Sequence, residues 1–243
     1  METIHQNIET INQRISKACK KAGRSREEVK LLLATKTVSA ERIKLAMDAG
    51  CTLIAENKVQ ELKEKFDDLK EIPHTTHFIG NLQSNKVKEI IRYGVDCLES
   101  VDRMSLSEKL HKRLVFEGKT MEVLIQVNTS YEESKFGVRP ENAVELVRKV
   151  AQFETLKIKG LMTIGLFSAE DEKVRMCFQL LKSIQNQIVA ENIPNVEMKE
   201  LSMGMSGDLE IAIEEGATIV RVGTAIFGKR EFPDSYYWNE GKE

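Results

Sequence analysis

The stretch KLLLATKTVSAERI, residues 30–43, runs Leu31, Leu32, Leu33 and Ala34 straight into Thr35 and Lys36 before a helix-like segment begins. A buried strand that finishes on a lysine raises a chemical question. Lysine is almost always solvated, so Lys36 taken alone reads as a loop residue in water. At the carboxyl end of a strand, over a packed interior, the same ammonium would be partly desolvated. That favours the neutral amine, and an amine there can attack an aldehyde to form a Schiff base.

Working outward from this strand, strand-like and helix-like segments alternate along the chain. IHQNIETINQRISKACKKAG places Ile4, Ile8, Ile11, Ile15 and Ala18 at helical spacing and stops at Gly23. Residues 29–35 are the first strand, and CTLIAEN and THFIGN read as the second and third. VDCLES, MEVLIQVN, LKIKGLM, VEMKELSM and TIVRVG complete a count of eight. Between them lie helices, including one with Val59, Leu62, Phe66 and Leu69 on its apolar stripe, one over 84–93, and one over 206–215. Asp102 is placed to cap the helix that follows VDCLES. No Pro/Gly/Ser-rich linker interrupts the pattern, so residues 1–243 read as one domain: helix 1–23, barrel 29–230 and tail 231–243. The predicted fold is a single (β/α)8 TIM barrel, with a doubly wound open sheet as the competing architecture. The recurrent polar or small strand endings TK, EN, GN, ES, VN, SM and GT favour closure, because a barrel gathers such residues at its mouth.

Composition narrows the partners. Thirty-six lysines and arginines against 38 acidic residues leave a net charge of −2, which offers no bulk attraction to nucleic acid or an anionic membrane. Cys19, Cys51, Cys97 and Cys177 are far apart, and no signal segment or membrane-length apolar run occurs, so a cytoplasmic setting is expected. His5, His74, His77 and His111 are equally dispersed, and no metal site is predicted.

The last strand gives Lys36 a context. TIVRVGTAIFGKR, residues 218–230, turns through Gly223 and Thr224 after Arg221. In barrels, phosphate commonly binds on the loops after strands seven and eight. Gly223 allows close backbone approach and Thr224 adds a hydroxyl. Ser202 and Ser206, in ELSMGMSGDLE, could form the other wall. Ser206 reads equally as a helix cap, with Asp208 favourable in the first turn. An amine and a phosphate cradle facing each other across the closing seam suit a phosphorylated aldehyde, with pyridoxal 5′-phosphate (PLP) the obvious candidate. Arg221, an obligate donor, would disfavour a protonated pyridine ring if it lay at the ring nitrogen. Pairing with a barrel carboxylate is the other reading of that arginine.

The motifs ATK with Lys36, AENKVQE (55–61), HFIGNLQSNK (77–86), QVNTSYEESKFGV (126–138), KGLMTI (159–164), LSMGMSGDLEIAI (201–213) and VRVGTAIFGKR (220–230) span nearly the whole chain. In them the sequence resembles the YggS/PROSC family of pyridoxal phosphate homeostasis proteins. The resemblance implies an alanine-racemase-like barrel with PLP on Lys36. It places the phosphate between the Ser202–Ser206 loop and Gly223 and Thr224, Arg221 at the ring nitrogen, and Asn57 near the cofactor. Departures from the family pattern are Thr35 for serine, Ala55 for glycine, Thr76 for an aromatic and Asn81 for histidine. Thr35 keeps a hydroxyl beside Lys36.

Other motifs read structurally. Lys135, in EESKFG, could be a second aldehyde-reactive lysine but reads as a solvated charge. His77 reads as a satisfied barrel histidine, Met162, Met203 and Met205 as packing, and KVQELKEKFDDLKE as a solvated helix face. Two classes of function compete. One is a PLP-binding homeostasis and delivery protein with little or no turnover, no catalytic residue, and PLP-dependent apoenzymes as partners. The other is a PLP-dependent amino-acid racemase, in which Lys36 is one base. Alanine racemases, as the resemblance implies, add a β domain and a partner-subunit tyrosine. Here Tyr131 is the tyrosine placed to substitute, whereas Tyr93 ends a helix and Tyr236 and Tyr237 lie in the tail. An open mouth argues against efficient chemistry, so the non-enzymatic reading is preferred. A Schiff-base aldolase acting on a sugar phosphate would use the same residues but leave the purified protein colourless. With no long apolar stripe left over, a monomer is expected.

Overall fold

The computed structural model describes residues 3–228. Eight strands, β1 (Lys30–Ala34), β2 (Leu53–Glu56), β3 (Thr75–Phe78), β4 (Cys97–Val101), β5 (Met121–Gln126), β6 (Leu156–Met162), β7 (Val196–Ser202) and β8 (Ile219–Val222), pair in parallel in chain order. β1 and β8 also pair, through Lys30–Leu33 against Ile219–Val222, so the sheet closes into a barrel and the open-sheet alternative falls away. Helices α1 (Ile4–Lys21), α2 (Ala40–Asp48), α3 (Val59–Leu69), α4 (Val87–Arg92), α5 (Met104–Glu117), α6 (Pro140–Val150), α7 (Asp171–Ala190), α8 (Leu209–Glu214) and α9 (Thr224–Phe227) surround it. Lys229, Arg230 and the predicted tail 231–243, with Tyr236 and Tyr237, lie outside the described residues.

Strand parity sorts the side chains. Leu33, Ile54, Leu98, Val123, Ile125, Leu161, Val220 and Val222 point outward into one continuous core under the helices. The opposite parity, which includes Leu32, Ala55 and Ile219, fills the interior. Helix α1 is fixed by a capping box at Thr3, whose hydroxyl accepts from Gln6 N–H while Gln6 accepts from Thr3 N–H. Its buried Ile8, Ile11 and Ile15 lie on the core. Arg14 of this helix donates to both Glu210 oxygens, at 2.7 and 2.9 Å, and to Ser206 O at 3.0 Å. The extra N-terminal helix thus braces the β7–α8 loop from outside.

Three local readings are corrected. The helix expected from 206 begins at Leu209, because Asp208 accepts the Met205 N–H at 2.5 Å and holds the preceding residues as a turn. The helix expected over 84–93 opens as a 3-10 turn, Ser84–Lys86. Asp102 does not cap α5, since its carboxylate is taken by Arg103 at 2.6 Å.

Candidate functional site

Lys36 lies two residues beyond β1, half-buried at the carboxyl end of the barrel, with the interior parity of Leu32 and Ala34. The neighbouring strand ends meet there. An ideal Cβ on Gly223 would stand 2.8 Å from Ala34 O and 3.4 Å from Ala34 Cβ, so only glycine lets β8 turn this closely against the end of β1. Arg221 N–H donates to Gly204 O at 3.0 Å, tying β8 to the loop after β7. Thr35 N–H donates to Ala55 O at 2.9 Å on the other side, and Ile79 N–H to Glu56 O at 2.9 Å. Lys36, Asn57, Gly223 and the Gly204–Ser206 loop therefore occupy successive strand ends at one mouth. Thr224 is exposed and opens the short α9, while Ser206 is half-buried.

Asn57 is set by a close backbone approach. A Cβ on Gly80 would fall 1.9 Å from Asn57 O and 2.7 Å from Asn57 C. Asn57 Oδ1 is buried without a hydrogen-bond partner among the described residues. A buried acceptor left in this state is costly, so it marks a position suited to a donor from a bound group. Gly80→Ala is expected to push the two loops apart and lower stability by about 1–3 kcal/mol. Thermal unfolding checks it, and an unchanged midpoint would mean that the loops yield freely.

Beneath the mouth the interior is polar. Glu99, on β4, is fully buried; its Oε1 accepts from His77 Nδ1 at 2.6 Å and its Oε2 from the Ser202 hydroxyl at 2.6 Å. Arg221, also buried, donates to Ser202 Oγ and to Thr163 O, both at 2.8 Å. Burial works against the Glu99 carboxylate, but His77, the Arg221 charge and Ser202 together hold it below the ordinary carboxylate range. Burial lowers the Arg221 guanidinium from its usual value, with Glu99 opposing. Arg221 thus follows the reading that sets it near a barrel carboxylate, on the strand that turns into Gly223. The Ser202 hydroxyl is engaged inside this network, and the seryl group nearer the surface is Ser206.

Several expectations change. Lys65, assigned to a solvated helix face, is only 9 % exposed, because its ammonium meets Glu56, Glu61 and Thr35 O behind the sheet. The Thr35 hydroxyl points the same way, to Glu56 at 2.6 Å. Lys135 is not simply solvated: it donates to Gly165 O at 2.7 Å and pairs with Glu132, joining the loops after β5 and β6. Tyr131 is exposed and donates to Glu141 on α6 at 3.0 Å. His77 is satisfied by Glu99, and Met162 and Met203 are buried as packing residues. Asn81 accepts from Arg103 at 3.4 Å, and Thr76 N–H donates to Asp96 at 2.8 Å. Among the described residues no cluster of His, Cys, Asp and Glu could hold a metal, and no helix is long and apolar enough to cross a membrane.

Glu99 and Lys65 are the residues here least legible in the sequence. Glu99 shares inward parity with Cys97 in VDCLES. Lys65 falls between Leu62 and Leu69 on the stripe that also carries Phe66. Those positions were the available signals.

A closed parallel barrel with a lysine and glycine turns at its mouth and a buried arginine beneath them defines a class, and residues 2–231 match the family model of the alanine racemase N-terminal domain. The chain is 42 % identical over 227 residues to the pyridoxal phosphate homeostasis protein of Aquifex aeolicus, covering 93 % of this chain and 98 % of that protein. It also superposes on PipY of Synechococcus elongatus PCC7942, solved with PLP bound, at a TM-score of 0.78 and 30 % identity. That match covers 88 % of this chain and 100 % of PipY. An alanine racemase of Clostridium difficile shares the fold at a TM-score of 0.74 and 14 % identity, over 93 % of this chain and 57 % of the racemase. The chain belongs to the family of pyridoxal phosphate homeostasis proteins.

Proposed function

We propose that this protein binds pyridoxal 5′-phosphate as a Schiff base on Lys36 and serves intracellular PLP homeostasis and delivery, with little or no turnover. The observation that carries the reading is the close approach of the Gly223 turn to Ala34 at the end of β1, two residues before Lys36. Relatives named for PLP homeostasis and the PLP-bound PipY support it. When bound, PLP offers an aldehyde carbon to which the lysine nitrogen adds, with loss of water.

The protein's own residues have distinct roles in this reading. Ser206, the Gly223 backbone and Thr224 hold the phosphate. Arg221 donates toward the ring nitrogen and keeps the ring unprotonated, while Ser202 and Thr163 O fix its guanidinium. Asn57 Oδ1 accepts a donor from the bound group, for which its unpaired state fits it. The low-turnover part rests on Tyr131 and His77. The tyrosine is turned to Glu141 at the surface and the histidine is bonded to Glu99, so neither is placed as a second acid or base for racemisation. The chain acts as one monomeric barrel domain in the cytoplasm, with PLP-dependent apoenzymes as recipients.

The test is an absorbance spectrum before and after borohydride, peptide mapping of the label, and polarimetry with alanine and serine. A near-visible band lost on reduction, a label on Lys36 and steady optical rotation are expected. A colourless protein that takes up no PLP overturns the binding assignment, and enzyme-like loss of rotation overturns the low-turnover part.

A further inference from the structure

The turn that carries Lys36 is held from outside the barrel by a buried ionic cluster. The three N–H groups of the Lys65 ammonium on α3 find three acceptors: Thr35 O at 2.9 Å, Glu56 Oε1 at 2.8 Å and Glu61 Oε2 at 2.7 Å. The same two carboxylates grip the residues on either side of Lys36. Thr35 Oγ1 donates to Glu56 at 2.6 Å and Thr37 N–H to Glu61 at 2.5 Å. Thr37 adopts φ +64°, a left-handed conformation unfavourable for a β-branched residue, so the turn depends on what holds it.

One ammonium faces two carboxylates, so the cluster carries an excess negative charge when both are ionised. Glu56 is 2 % exposed, and its Oε2 makes no hydrogen bond among the described residues. A buried carboxylate oxygen in that state favours a proton. We propose that Lys65, Glu56 and Glu61 are positioning residues for Lys36, and that the proton content of the cluster sets how firmly the turn presents the amine. This rests on the reading of Lys36 as the PLP-bearing residue.

Burial pushes the Glu56 carboxyl up to about 7, with Lys65 pulling it down and Glu61 pushing it up. His74, Asp96, Lys70 and Tyr93 line a cavity of about 350 Å3 with Glu56 and Lys65. Asp96 is bonded to Thr76 N–H, His74 to Ile72 O and Lys70 to Asp67. Just beyond β1, the Thr35 hydroxyl donates to Glu56. The folded pKa lies above the ordinary value of about 4.3, so the stability tied to this proton is full below that value. It is lost as pH rises through about 7. The clamp therefore loosens toward alkaline pH.

The experiment measures release of PLP from the loaded protein to a carbonyl trap, and thermal unfolding of the unloaded protein, from about pH 5.5 to 8.5, bracketing the Glu56 transition. Wild type is expected to release PLP faster and melt lower, relative to Glu56→Gln, as pH rises through about 7. Lys65→Met is expected to speed release about tenfold, about 1.4 kcal/mol, with partial rescue in Lys65→Arg. If Lys65→Met does not fold, the Glu56→Gln comparison alone decides. A Glu56→Gln protein with the wild-type pH profile of release and melting overturns the inference while leaving PLP on Lys36. Absence of a borohydride-trapped adduct on Lys36 in wild type instead overturns the reading beneath it.

Discussion

Replacing Lys36 with alanine is expected to abolish the near-visible absorbance of the PLP-loaded protein and the borohydride-stable label on the peptide spanning residues 30–43. Affinity should fall on the order of 100-fold, about 2.7 kcal/mol, since the covalent link is lost while the phosphate and ring contacts stay. The barrel should be unaffected, because Lys36 lies beyond the last residue of β1 and outside the packed layers. Equilibrium dialysis with phosphate competition separates the two contributions, and residual weak binding should be displaced by inorganic phosphate. Any label that survives is expected on Lys135, whose ammonium is half-buried between the loops after β5 and β6. A variant that keeps the full absorbance and affinity would remove Lys36 from the site.

Glu99→Gln should be the most damaging substitution for stability. The carboxylate accepts from His77 on one side and Ser202 on the other, while Arg221 donates to that serine. An amide cannot accept at both ends, so one of the two donors would face an NH2 group. The Arg221 guanidinium would also lose its nearby counter-charge in the barrel interior. Breaking a buried ionic arrangement of this kind costs about 3 kcal/mol or more, which for a chain of this length lowers the melting temperature by roughly 6–12 °C. The pH dependence has a definite sign. Because the folded carboxyl is held below its ordinary value, its contribution is present above about pH 4.3 and is lost as pH falls through the lower folded value. Glu99→Gln should therefore melt lower than wild type at neutral pH, with a gap that narrows in acid. A constant gap across that range would assign the loss to packing alone. Glu56 behaves oppositely, since its proton is lost on the alkaline side, so the two buried carboxylates limit the stable window from both ends.

Most of the architecture was legible because barrel strands and their covering helices are local patterns. KLLLA, MEVLIQ and LKIKGLM are apolar runs that need no tertiary context, and Gly23, Gly50, Gly94 and Gly118 end helices at positive φ. The misplaced start of α8 came from a local competition, in which the Asp208 side chain captured the Met205 N–H. The polar endings of the strands likewise point to a mouth. Harder to see were residues whose partners come from other strands: Glu99 meets Ser202 across 103 residues, and Lys65 meets Thr35 O across 30.

The sequence alone determined the number and order of strands, the lysine at the end of the first and the glycine turn at the end of the last. It did so because helical spacing, apolar runs and turn residues are written over a few consecutive positions. Only the closed barrel decided that β1 and β8 touch, that Arg221 shares its interior with Glu99, and that Lys65 is buried behind the lysine turn. Those facts depend on which way a side chain faces after closure and on which charges then lose their water. Each is a property of contacts between distant strands and helices, set by packing and desolvation.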